Sequence, residues 1–494
     1  MNLRHIKIGV LILGIGAVLT WSGAVRAQLS GDALLNKLVD KGVLTQREAN
    51  QLREDADKES AQTVEKYNKV KVASWIDQMK WSGDLRLRAE SFNYENKLPP
   101  DSKGNPQVPN PDRLRYRMRA RLGVETSLQD WADVGLRIGT GDSGDPYNAL
   151  SQNSTFTDSF RKKPLNLDLA YVTVHPPSLD WLKVTGGKML MPMWHPVSLS
   201  PMIYDPDLTP EGLAEQVSFK FGDKSQYRLF GNFGQFAVKE LSADENDAYM
   251  FDLQGGIEAN FERVKVTVAG GYYMTENLQN VAADPSPGKN LLQGGLPGDT
   301  FTGDSGNKGN SVGSKQIKTV TLGSLILTNS FYNYPGNFDV LYGMGEVAYT
   351  INEKPFLGTP CIFTVGGEYM KNLSSVYVHD PIDNQTEAYG FQAVFGSAQK
   401  KGQWMVGYEY KYLEANATLD SITDDDFGPY GGTDRKGHVF KVQYCPKDWW
   451  VLGFTAFDTE KIDGKRLVGA TTHGQPGLPG HDTLRLQFDT TFKF

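Results

Sequence analysis

Arginine recurs at every second position from 113 to 121: Arg113, Arg115, Arg117, Arg119 and Arg121, separated by Leu114, Tyr116, Met118 and Ala120 and followed by Leu122. A period of two puts five guanidiniums on one face of an extended strand and the apolar residues on the other. Guanidinium stays charged and presents a fork of donors that fits carboxylate and phosphate. Five in line therefore attract anions, or require carboxylates to face them. Asp84, Arg86, Arg88 and Glu90 repeat the spacing with both signs, and Arg137 follows in a third such segment. Further along, the same phasing sets Asp252, Glu258, Glu346, Glu368 and Glu409 opposite apolar neighbours.

Catalytic chemistry finds little support. The chain has seven His, of which His5 lies in a leader, and none of His175, His195, His379, His438, His473 and His481 accompanies a Ser and an acid in a recognisable relay. No P-loop or HExxH occurs. Asp424, Asp425 and Asp426 in "TDDDF" could face a divalent cation, but they lack the Asp-x-Asp-x-Asp-Gly spacing of a calcium loop, and a solvated loop is the commoner meaning. No catalytic residue, metal centre or cofactor is expected. Cys361 and Cys445 are too few for a disulfide scaffold, and their strand phases point to opposite faces, so they are expected to be unpaired.

The elements that must position these charges are alternating segments of about ten residues, near the length of a tilted membrane strand. They run 81–91, 113–126, 132–140, 165–174, 181–190, 213–221, 226–236, 249–260, 262–273, 342–351, 361–370, 387–397, 403–413, 437–445, 449–458 and 482–494. Connections alternate between short ones, such as "QD" at 129 and "PKD" at 446, and long polar ones. A soluble sandwich has no reason to sort loops by parity, whereas an outer-membrane barrel keeps short turns in the periplasm and long loops outside. Trp131, Trp181, Trp404, Trp449 and Trp450 lie near short turns and Trp81 opens the first strand, as an interfacial aromatic girdle requires. The fold class is therefore all-β: a transmembrane antiparallel β-barrel of about 16 strands, preceded by a short N-terminal periplasmic helical segment. The longest connection, 274–341, either folds inward as a constriction or stands outside; its "TVTLGSLILTN" would raise the count to 18 if it joined the barrel.

In such a barrel a charge facing lipid costs about 2–4 kcal/mol near the midplane, so the arginines must line the lumen. Arg86, Arg88, Arg113, Arg115, Arg117, Arg119, Arg121 and Arg137 then form a basic wall facing acidic Asp252, Glu258, Glu346, Glu368 and Glu409. Either this wall sets a transverse field that favours anions, or the charges simply hydrate a polar lumen.

Residues 1–27 have the pattern of a signal peptide: Arg4 and Lys7, an apolar run from Ile8, and small residues up to Ala27. That run is shorter than the ~20 residues of a helical span. Residues 28–75 are expected to be helical or coiled-coil-like, with Leu34, Leu35, Leu38 and Val39 at helical spacing and a capping box at Thr45 and Glu48. Residues 76–494 form the barrel. Without Arg4, Lys7 and Arg26 the chain keeps 48 basic against 58 acidic residues, so nucleic acid is not an expected partner.

The stretches "GGKMLMPMWHPVSLSPMIYDPDLTPEGLA" from 186, "GGEYMKNL" from 366, "VGYEYKYLEANATLDSITDDDFGPYGGTDRKGHVFKVQY" from 406 and terminal "LRLQFDTTFKF" resemble the bacterial outer-membrane proteins grouped as putative porins. The resemblance implies a channel that passes small hydrophilic solutes or ions, set in outer-membrane lipid, with a homotrimer by analogy and no catalytic residues. Phe494 would close the barrel as the terminal aromatic read by the barrel-assembly machinery. The alternative is a structural or adhesive protein that links membrane to cell wall through the N-terminal helix.

Overall fold

A computed structural model describes residues 76–95, 112–141, 150–156, 160, 162–240, 246–284, 310, 315–322, 325–378, 385–429, 431–462 and 482–494. The leader 1–27 and the segment 28–75 lie outside the described residues. No helix among the described residues is long and apolar enough to cross a membrane, which says nothing of strands.

Sixteen antiparallel strands form one closed sheet. They are β1 (Ile76–Glu95), β2 (Arg113–Leu128), β3 (Ala132–Thr140), β4 (Leu165–Val174), β5 (Leu182–Lys188), β6 (Glu211–Phe221), β7 (Tyr227–Lys239) and β8 (Ala248–Asn260). They continue as β9 (Val264–Glu276), β10 (Asp339–Phe356), β11 (Thr359–Asn372), β12 (Glu387–Gly396), β13 (Trp404–Leu413), β14 (Arg435–Lys447), β15 (Trp450–Lys461) and β16 (Asp482–Lys493). Each pairs with its neighbour in sequence, and β16 returns to β1 in register from Asp84 opposite Lys493 to Glu95 opposite Asp482. Closure removes both sheet edges, the condition for a sheet to exist in lipid. The strands from 315 to 333 pair with one another and with Ala282–Asp284 as a separate three-stranded sheet, so the barrel has sixteen strands and not eighteen.

The outward face inverts the usual surface rule. Leu85, Leu114, Leu136, Leu229, Leu253 and Phe488 are among many large apolar side chains left exposed on alternate strand positions. Only a hydrocarbon surround makes such a face stable, since each would otherwise expose apolar area at roughly 25 cal/mol per Å2. Trp81, Trp131, Trp181 and Trp449 are exposed near the short-turn end. Neither cysteine is in a disulfide, and both are buried.

The inward face is divided. On β7 to β13 it carries apolar residues, including Phe230, Phe236, Met250, Tyr273, Tyr342 and Met370, which pack into a dry cluster inside the barrel. The rest of that cluster comes from connections: Met189, Met193, Met202 and Ile203 between β5 and β6, Leu278, Val281, Tyr334 and Phe338 between β9 and β10, and Leu419 and Ile422 between β13 and β14. On β14 to β16 and β1 to β4 the inward face is mostly polar and charged. Apolar packing thus fills much of one side of the lumen, and a charged cavity lies on the other.

Candidate functional site

Connections 150–156, 189–210 and 414–434 fold into the lumen, and each is held by charges that the sequence phasing turned inward. Arg117 donates to Ser151 Oγ at 3.0 Å and to the Asn153 carbonyl at 3.1 Å, and Arg86 donates to Asn153 Oδ1 at 2.6 Å. Across the barrel the acids grip segment 189–210. Glu409 accepts from the Leu199 amide at 2.6 Å, Ser198 Oγ at 2.9 Å and the Ser200 amide at 3.2 Å, and Glu346 accepts from the Val197 amide at 2.5 Å. Gln254 holds the Trp194 amide and carbonyl at 2.8 Å each.

Asp252 points inward but is fully buried, accepting from Tyr342 Oη at 2.8 Å and from Tyr204 Oη. Its carboxylate is enclosed in the dry cluster and does not face water. Glu368 is buried as well. Glu258 stands apart, paired with Arg228 at 2.9 Å and Lys265 at 3.1 Å. The five acids are therefore dispersed among separate contacts and do not form one wall.

The arginines are drawn together, and most meet a carboxylate. Glu90, fully buried, sits among Arg88, Arg115 and Arg485. Arg88 also pairs with Asp426 at 2.7 Å and Asp489 at 2.7 Å. Arg119 and Arg121 share Asp84, and Arg119 reaches Asp207 at 3.0 Å. Arg137 pairs with Asp168. Arg113 is exposed at the long-loop end of β2. Buried charges of this kind persist only when paired, so the alternating arginines and their counter-ions specify one another.

Arg485, which shares the closing strand with Phe494, does most to place segment 414–434. It donates to the carbonyls of Asp425, Asp426 and Gly428 at 3.2, 2.8 and 3.1 Å and to Asp426 Oδ1 at 2.5 Å. Gly431, with φ of 71°, lets the chain double back there: a Cβ would stand 2.5 Å from the Asp424 carbonyl oxygen. Asp426, held between Arg88 and Arg485, is drawn well below the usual carboxylate range by those guanidiniums against the opposing effect of burial.

Asp205, Asp424 and Asp425 offer oxygens within 4.8 Å of one another. Asp205 accepts from the amides of Asp207 and Asp425 at 2.7 and 2.9 Å, and Asp424 accepts from the Asp426 amide at 2.9 Å and from Ser200 Oγ. Burial and mutual repulsion push Asp205 well up and Asp424 up, and Asp425 is pushed up to about 6. Lys411 Nζ, 2.6 Å from Ser200 Oγ, supplies positive charge beside Asp424.

Between these segments and the polar strands lies a cavity of about 310 Å3. Its cations are Arg86, Arg88, Arg119, Lys441 and Lys493; its carboxylates are Asp205, Asp207, Asp424, Asp425, Asp426 and Asp489. Sequence phasing brought out the arginines but not Lys441 or segment 189–210, although "MLMPMWHPVSLSPMIY" is conspicuously apolar for a barrel loop.

Among the described residues, Ser127, Asp133 and His175 meet near a turn without forming a catalytic relay. Ser127 Oγ and His175 Nε2 bond the same Asp133 carboxylate, at 2.7 and 2.9 Å, and not each other. That arrangement orients a turn and activates no nucleophile.

No curated protein matches the chain. Among solved structures it is similar to OprB of Pseudomonas putida, 10% identical over 84% of this chain and 94% of that one, with a TM-score of 0.46. It is similar also to OmpT of Vibrio cholerae, 11% identical over 85% and 99%, TM-score 0.41, and to the outer-membrane channel DcaP of Acinetobacter baumannii, 11% over 84% and 97%, TM-score 0.40. The family model described as "Putative porin" matches residues 64–471. With most of its length inside that match and sixteen strands closed around a charged lumen, the chain belongs to the putative porin family, as a channel of the outer membrane.

Proposed function

We propose that the channel passes small hydrophilic solutes or ions by diffusion, with a preference for anions set by its arginine-lined side. The supporting observation is how the cavity's charges are shared out. Asp426 and Asp489 are engaged by Arg88, and Asp207 by Arg119, whereas Arg86, Lys441 and Lys493 make no ion pair with a described residue. The remaining carboxylates, Asp205, Asp424 and Asp425, crowd one another and hold protons to higher pH than isolated aspartates. The balance that a passing ion meets is therefore positive, and positive walls admit anions.

Reversal potential in a KCl gradient across a planar bilayer tests this: chloride preference is expected, and potassium preference refutes it. In the same reading the protein assembles as a homotrimer, to be checked by native mass in detergent, and the barrel-assembly machinery reads the terminal Phe494.

A further inference from the structure

The cavity beside segments 189–210 and 414–434 carries unpaired charge of both signs, on different elements. Lys441 on β14, Lys493 on β16 and Arg86 on β1 have no carboxylate within ion-pair distance among the described residues, and Arg86 Nε has no hydrogen-bond partner. On the folded-in segments, Asp205 and Asp424 spend their oxygens on backbone and hydroxyl donors. Asp425 does not: its amide donates to Asp205 and its carbonyl accepts from Arg485, but its carboxylate has no hydrogen-bond partner, and its side chain is only partly buried. Ready-made pairs elsewhere, such as Arg228 with Glu258, show that this barrel neutralises charge internally where it can.

We propose that the cavity is a subsite for small zwitterionic solutes, with Lys441, Lys493 and Arg86 taking the anionic group and Asp425, backed by Asp205 and Asp424, taking the ammonium. The proposal rests on the channel reading and names its solute class. A solute of one sign is attracted by one group of side chains and repelled by the other, so it gains little net energy on leaving water. A dipolar solute that orients between them gains from both, and its own desolvation is repaid at both ends. A volume of about 310 Å3 falls at the lower end of the ~300–1,000 Å3 typical of ligand cavities, which restricts the class to small molecules.

The test uses the full chain in planar bilayers in symmetric KCl at pH 7.5, with ω-amino acids of two to six carbons as probes. Monocarboxylates and primary amines of equal length serve as single-charge controls. Reversible reduction of the open-channel current by the ω-amino acids is expected at concentrations about tenfold below those needed for either control, a difference of about 1.4 kcal/mol. Lys441→Gln and Asp425→Asn should each bring the amino acids to the level of the controls. Single-charge controls that reduce the current as well as the zwitterions overturn the proposal, and this comparison needs only the wild-type protein. Variants that conduct yet keep the full advantage also overturn it. Wild-type protein that inserts but never conducts refutes the channel reading itself, whereas conductance without zwitterion preference refutes the solute class alone.

Discussion

Replacing Glu90 with Gln should destabilise the barrel by about 3 kcal/mol, far more than the loss of any rim charge. Glu90 is fully buried and faces three guanidiniums, but they do not depend on it equally. Arg88 keeps Asp426 and Asp489. Arg485 keeps Asp426 and three carbonyls. Arg115 pairs with no other described carboxylate and keeps a cation–π contact with the Phe92 ring at 4.9 Å. Removing one partner of a buried pair costs about 3–5 kcal/mol, and the lower figure applies because the stranded Arg115 side chain retains some contact with water. The control is Lys371→Gln at the rim pair Lys371–Glu387, whose side chains are 40% and 43% exposed and whose loss should leave stability close to wild type. Equilibrium guanidinium unfolding of the refolded barrel in detergent, followed by tryptophan fluorescence, reads both. If Glu90→Gln falls within about 1 kcal/mol of wild type, the reasoning that a buried charge hub locks β1, β2 and β16 together is wrong.

Asp426→Asn should loosen segment 414–434 by weakening its bond to Arg88 and Arg485 while Leu419 and Ile422 stay packed, and single-channel recordings should show larger, noisier currents; an unaltered trace counts against the clasp. Lowering pH through about 6 should strengthen anion preference, because Asp425 gains a proton and loses its negative charge. The groups facing it are Asp424 and Asp426 on its own segment, Asp205 on segment 189–210, Arg117 on β2 and Arg485 on β16, and a reversal potential that moves toward the cation side would contradict this sign. Phe494→Lys should cut the yield of folded barrel in the outer membrane more than it alters conductance, since the Phe494 ring packs over Gly83 at the closing seam; wild-type yield would refute it.

Strand positions were legible because lipid imposes a rule on one face of every strand. β3 and β4 begin and end where alternation does, at 132–140 and 165–174. On β7 to β13 that rule hides the interior: Phe230, Met250, Tyr342 and Met370 point inward yet are apolar, so the outward pattern says nothing of a dry core. Segment 274–341 stood out by length, but length does not tell a loop where to fold. Segment 189–210 runs through the lumen because Gln254, Glu346 and Glu409, distant in sequence, present acceptors that meet its amides. The partners of the arginine ladder were equally out of reach, since Asp426 and Arg485 lie 59 residues apart and meet only when the barrel closes.

The filled side of the barrel has an electrical consequence. Mobile ions do not enter the apolar cluster, so a potential applied across the membrane falls along the charged side, where Asp424, Asp425 and Asp426 stand. A unit charge moved through the whole drop exchanges about 2.3 kcal/mol per 100 mV. Segment 414–434 meets the barrel wall there through Asp426 between two arginines and through the bonds of Arg485 to its carbonyls. The ion pairs that hold this segment to the wall therefore stand in the same field that drives ions past it.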